Sequence, residues 1–249
     1  MILNLAAYHF APVDDPEALA ARVRARAEDG ALLGSVLVAG EGINLFLAGA
    51  ADGIHGFVAW LRQDPRFAAI RIKLSESGTQ PFARLKVKVK PEIISFRREN
   101  ASPLAERAPA VAPADLARWI SQGRDDDGKP LMLLDTRNRE ETGYGTFAGA
   151  LVLPIDNFVD FPEALAPHRE ELAGKIVVSF CTGGIRCEKA ALWMRAEGMD
   201  NVLQLDGGIL GYFEEVGGMH YEGDCFVFDE RIALDPQLRP LAQAQEAGA

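Results

Sequence analysis

Cysteine and histidine are scarce in this 249-residue chain, with three of the first, at 181, 187 and 225, and four of the second, at 9, 55, 168 and 220. Three cysteines are too few for a disulfide framework, and histidines so scattered offer no metal-ligand spacing, so no metal site is expected. Long apolar runs are missing too. None approaches the roughly 20 residues that cross a bilayer, so no membrane partner is expected. The opening "MILNLAAYHFAPVDD" lacks a basic start and is broken by Tyr8, His9 and Pro12, so no secretory leader is expected and the location is read as cytoplasmic. No flavin or nicotinamide motif is present, so no cofactor is evident.

What is present is the composition of an ordinary globular protein, 48% hydrophobic and 25% charged, long enough for two small domains. A net charge of −10 argues against a nucleic-acid partner only if it is spread evenly, and it is not. Residues 1–100 hold 13 Lys and Arg against 11 Asp and Glu, a net of +2; the rest holds 13 against 25, a net of −12. The two parts therefore carry different surfaces.

The first part reads as strand "ILNLAAYHF", helix "DPEALAARVRARAEDG" with Asp15 as N-cap, a hairpin around Gly-Glu-Gly in "GSVLVAGEGINLFLAG", helix "ADGIHGFVAWLRQDPRF" and a closing strand in "ARLKVKVKPEIISF". That order, β-α-β-β-α-β, predicts a ferredoxin-like α+β domain over residues 1–98. The Ala- and Pro-rich stretch 99–114 reads as a linker. From 115 to 221, strands ("LMLLD", "ALVLP", "KIVVSF", "NVLQL") alternate with helices, which predicts an α/β domain with a central parallel sheet. Residues 222–249 form a C-terminal extension, expected to be weakly structured after about 232.

Cys181 follows "KIVVSF", at the carboxyl end of a buried strand, where open α/β sheets place their ligands. Thr182, Gly183 and Gly184 let the backbone curl, and their N–H groups with those of Ile185 and the following helix form an anion cradle. Arg186 adds a full positive charge. Such surroundings lower a thiol pKa and make Cys181 a nucleophile. Cys187, in the first helical turn, is either a packing residue or a resolving thiol for Cys181. Cys225, in an apolar run, reads as core.

"LLDTRNREE" at 133–141, "GTFAGALVLP" at 145–154, "CTGGIR" and "LQLDGGIL" at 203–210 resemble, in order and spacing, a rhodanese domain. The resemblance implies a loop cysteine that carries a persulfide. It also implies an ion pair of Asp135 with Arg137, functional or purely structural, with Glu140 in the same network. Phosphatases of related fold use Cys-x5-Arg, whereas Cys181 to Arg186 is Cys-x4-Arg. Adding "EGIN" at 41–44, "WLRQDPRF" at 60–67, "PFARLKVKVKPEI" at 81–93 and "GDCFVFDERIA" at 223–233, the chain from about 4 to 233 is similar to the oxygen-dependent tRNA uridine hydroxylase family. That implies hydroxylation of the wobble uridine to 5-hydroxyuridine, with molecular oxygen as co-substrate, the anticodon arm of tRNA as partner and the loop cysteine essential. Two departures stand out: the chain ends in "LAQAQEAGA" where many members continue into a cysteine-rich segment, and it has Leu45-Phe46 where relatives usually have Gly-Thr.

In "RLKVKVK", Lys86, Lys88 and Lys90 share one strand face about 6.6 Å apart, with Arg84 beside them. Such a row can track RNA phosphates or merely guard an edge strand. Arg71, Lys73, Arg97 and Arg98 can widen it. The rival readings are a rhodanese-type sulfurtransferase that passes a persulfide sulfur, and an RNA-binding module with a silent loop.

Overall fold

The computed structural model describes residues 1–241, which form two compact units: Met1–Ser95 with Phe228–Arg231, and Phe96–Val227 with Ile232–Leu241.

In the first unit, α1 (Pro16–Asp29) starts where Asp15 accepts the Ala18 N–H at 3.0 Å, and it buries Leu19, Val23 and Ala27. Strands β2 (Leu33–Ala39) and β3 (Gly42–Gly49) make the expected hairpin. Gly42 has φ +144°, and a Cβ there would fall 2.1 Å from the His9 carbonyl oxygen, so only glycine lets β3 pair with β1 (Ile2–Phe10). Helix α2 (Ala51–Leu61) buries Ile54, Phe57, Val58 and Leu61, the residues at helical spacing.

The strand that closes the ferredoxin-like pattern is β4 (Arg71–Ser77), antiparallel to β1, and not the stretch "ARLKVKVKPEIISF". Its alternation is hidden because it lies at a half-buried sheet edge, with Arg71, Lys73 and Glu76 interrupting the apolar signal. The lysine stretch forms instead a fifth strand, β5 (Leu85–Val89), parallel to β2 at the opposite edge, in the sheet order β4-β1-β3-β2-β5. Both helices bury their apolar faces against one side of this sheet, with Leu5, Val36, Leu45, Leu47 and Val87.

The second unit runs β6 (Ala110–Val111), α3 (Pro113–Gln122), β7 (Leu131–Asp135), α4 (Arg139–Thr142), β8 (Gly145–Phe147), β9 (Leu151–Val152), α5 (Phe161–Leu165), α6 (Arg169–Leu172), β10 (Ile176–Phe180), α7 (Ile185–Ala196), β11 (Val202–Leu205) and α8 (Gly208–Val216). The parallel sheet is ordered β6-β11-β10-β7-β9, so β10 is central and all five of its residues are buried. The stretch 99–114, expected as a linker, packs within this unit: β6 pairs with β11, and Arg107 forms an ion pair with buried Glu188. Just before it, Phe96 stacks on Phe158 at 4.6 Å. Past α8, β12 (Tyr221–Gly223) pairs with β8, and β13 (Cys225–Phe226) with β14 (Ala233–Leu234). Ala233 and Leu234 are buried, so the chain just after 232 is more ordered than its sequence implies, while 242–249 lie outside the described residues. Among the described residues, no helix is long and apolar enough to cross a membrane.

Candidate active site

Five buried residues carry β10 through the centre of the parallel sheet to its carboxyl end, where Cys181 opens the loop to α7. Gly184 takes φ +102°, which turns its N–H back to the Cys181 Sγ at 3.2 Å. The turn before α8 lies against the same loop: Ile209 N–H donates to Cys181 O at 2.9 Å and Leu210 N–H to Thr182 O at 3.0 Å. Gly208 permits this approach, since a Cβ there would sit 2.5 Å from Cys181 O. Gly183 differs. It is half-exposed, and a Cβ on it would meet nothing within 4 Å.

Cys181 and Cys187 are both fully buried. Burial alone pushes the Cys181 thiol up. Cys187 as donor, the Arg186 charge and the N–H groups of Arg186 and Cys187 outweigh burial, bringing Cys181 down to about 5. Cys187 moves the opposite way, pushed up by burial and by the anion it faces, so it stays a protonated thiol. The Thr136 hydroxyl stands 3.6 Å from Cys187 Sγ and donates to Phe180 O at 3.0 Å.

Arg186 is buried, and its guanidinium forks onto Glu141, with Nη2 to Oε1 at 2.6 Å. Burial opposes the charge on Glu141, but Arg186 holds its carboxyl below the usual range. Thr182 Oγ1 donates to the same carboxylate at 3.3 Å. Glu141 itself is placed by the start of α4, where the Asn138 N–H donates to its Oε2 at 3.0 Å. The acidic partner of the loop is therefore Glu141; Glu140, expected in the network of Asp135 and Arg137, is exposed.

Asp135 and Arg137 pair at 2.7 Å with both side chains fully buried, and Thr146 Oγ1 donates to Asp135 at 2.7 Å. Arg137 also donates to Gly145 O at 2.6 Å. The pair braces the corner between β7 and β8, next to the Thr136 that touches Cys187. Burial raises Cys225 to about 12, which keeps it a neutral core thiol. The structure thus brings together Cys181, Thr182, Gly184, Arg186 and Cys187, with Gly183 and Ile185 half-exposed in the same loop. Arg84, Lys86, Lys88 and Lys90 belong to the first unit, where all four are exposed. Sequence reasoning missed Glu141 and Thr136. The Asn138-x-x-Glu141 capping spacing was legible, but it does not reveal a partner 45 residues further on.

Residues 2–93 match the model of a UPF0176 acylphosphatase-like domain, and residues 113–215 match that of the rhodanese-like domain. A protein of Xanthomonas euvesicatoria pv. vesicatoria named tRNA uridine(34) hydroxylase is 70% identical over 98% of each chain. Proteins of the same name from Xanthomonas campestris pv. campestris and Xylella fastidiosa are 70% and 61% identical, each over 97% of this chain and at least 94% of their own. Identity at this level along nearly the whole of both chains, with the two domain models matched in order, makes this chain a member of the tRNA uridine(34) hydroxylase family.

Proposed function

We propose that the protein hydroxylates carbon 5 of the wobble uridine of tRNA, in the cytoplasm, with molecular oxygen as co-substrate. The observation that carries this reading is the Cys181 thiolate, held by the Gly184 N–H and the Arg186–Glu141 pair in a chain so close to the named hydroxylases.

Uracil is an acceptor for thiolates at C6, because the C4 carbonyl takes up the electron pair. Addition of Cys181 Sγ at C6 makes C5 an enolate carbon, which bonds to oxygen. Loop N–H groups steady the oxyanion at O4. Loss of the C5 proton and expulsion of the thiolate then restore the ring. The second oxygen atom leaves as water, which consumes two electrons and two protons from a thiol reductant in solution. Arg186 has both terminal nitrogens near Glu141, so it acts by keeping the sulfur anionic. Because Cys181 is fully buried, uracil reaches it only as a base turned out of its stack, after the side chains over the loop move aside.

Nucleoside analysis of tRNA from cells lacking the gene tests this. Wild-type protein restores 5-hydroxyuridine and Cys181→Ala does not; full restoration by Cys181→Ala overturns the reading. The same loop chemistry suits persulfide transfer, which predicts a mass gain of one sulfur atom on Cys181 and turnover that requires a sulfur donor but no oxygen.

A further inference from the structure

Strand register in the first unit lines up two rows of side chains on the sheet face opposite α1 and α2. One row runs Lys86, Ser35, Phe46, Ala6, Lys73, and the next runs Lys88, Leu37, Asn44, Tyr8, Arg71. Directly paired residues point to the same side of a sheet, so each row begins and ends in a cation and carries one aromatic ring near its centre. Lys86, Lys88 and Arg71 are exposed; Phe46, Tyr8, Ser35, Leu37 and Lys73 are half-buried. Phe10 continues the aromatic run on this face, its ring 5.9 Å from that of Tyr8. Neither row contains a carboxylate, in a chain of net charge −10. The chain after β5 covers the middle of the second row, where buried Asn44 donates to Ile93 O at 3.2 Å, and on the same face beyond Lys73 the Arg231 guanidinium donates to Ser75 Oγ at 2.7 Å.

Five strands at about 4.8 Å spacing put the two lines of cations roughly 19 Å apart. That span fits two or three unstacked bases between phosphate contacts at either edge, and aromatic rings on central strands are the surface on which single-stranded RNA stacks. We infer that this face is a platform for single-stranded RNA, with bases stacking on Tyr8 and Phe46 and phosphates meeting Lys86 and Lys88 on one edge and Lys73 and Arg71 on the other. The inference rests on the tRNA reading above and adds to it where the loop nucleotides bind. It also changes the meaning of the lysine row, which becomes one border of a site with Arg71 and Lys73 as the other.

Binding of a labelled anticodon stem-loop to the full chain, measured by anisotropy beside a fully paired RNA of equal length, tests it. Phe46→Ala and Tyr8→Ala each weaken stem-loop binding roughly five- to a hundredfold with little effect on the paired RNA. Lys86→Gln weakens both and lowers the salt dependence. Phe46→Leu keeps the apolar volume, so a variant with an unchanged melting temperature and the same weakened binding isolates the ring. A photocrosslink from 5-bromouridine in the loop to a peptide holding Tyr8 or Phe46 supports the platform directly. Wild-type binding to the stem-loop that survives both aromatic variants, or equal binding of the paired RNA, overturns the platform and leaves the tRNA reading standing. Failure of wild-type protein to bind any tRNA overturns both.

Discussion

At Cys181 two opposing effects act on one sulfur atom. Burial favours the neutral thiol, while the Cys187 thiol, the Arg186 charge and two backbone N–H groups favour the anion, and the anion prevails. Thiolate absorbance, taken as wild type minus Cys181→Ala, is therefore expected to titrate near pH 5. In Cys187→Ala the midpoint rises by roughly one unit or more, because the S–H donor is gone while burial remains; an unmoved midpoint would show that Cys187 only packs. A folded thiol below its unfolded value of 9.0 contributes stability that is full above pH 9 and is lost as pH falls through about 5. Two glycines of the site separate structure from function. Gly208→Ala puts a Cβ 2.5 Å from Cys181 O at φ +63° and is expected to cost about 2 kcal/mol or more of stability. Gly183→Ala meets no atom and needs no left-handed dihedral, so stability stays within about 0.5 kcal/mol while activity falls, since the methyl occupies open space at the loop. Thermal melts and initial rates on tRNA check both, and full activity of Gly183→Ala would remove that glycine from the substrate path.

Among the elements, α7 and β5 hold their charged residues in place by different means. Helix α7 buries charged residues along with apolar ones, Arg186, Glu188 and Lys189 among them. Each buried charge with a described partner is met by side chains from elsewhere in the fold: Arg186 by Glu141 on α4, and Glu188 by Arg107 and by Gln204 at 3.0 Å. Strand β5 has a single buried residue, Val87, and Lys86 and Lys88 flank it on the other face. Val87→Ala is expected to cost about 2 kcal/mol and to speed hydrogen exchange of the β5 amides well beyond those of β1 and β3. Equal protection before and after the change would mean that backbone pairing with β2 alone holds the strand. The contrast between β5 and β4 also shows what an edge position does to a sequence signal. β5 alternates cleanly and is easily assigned, yet it is the extra strand. β4 completes the domain, but its edge position admits Arg71 and Lys73 on one face and Glu76 on the other, and its pattern fades.

For the whole molecule, charge is divided along the sequence, +2 in the first hundred residues and −12 in the rest, so the proposed RNA contacts fall on local basic borders and not on the protein at large. If Lys86, Lys88, Lys73 and Arg71 each meet a phosphate, the logarithm of the stem-loop binding constant falls with the logarithm of salt concentration at a slope of about −3. Titrations at several salt concentrations check this, and a slope near zero would exclude these cations as phosphate contacts. By itself the sequence determined the cysteine loop, because Cys181, Gly184 and Arg186 lie within six residues and a strand end, glycine dihedrals and a helix start are local properties. It also determined the two fold classes, through periodicity that each element carries within itself. Only the tertiary structure decided that Glu141 receives Arg186, and that the cations of β4 and β5 border the aromatic residues of β1 and β3. Those are contacts between residues far apart in sequence, set by which faces the whole chain can bury together, and no local pattern contains them.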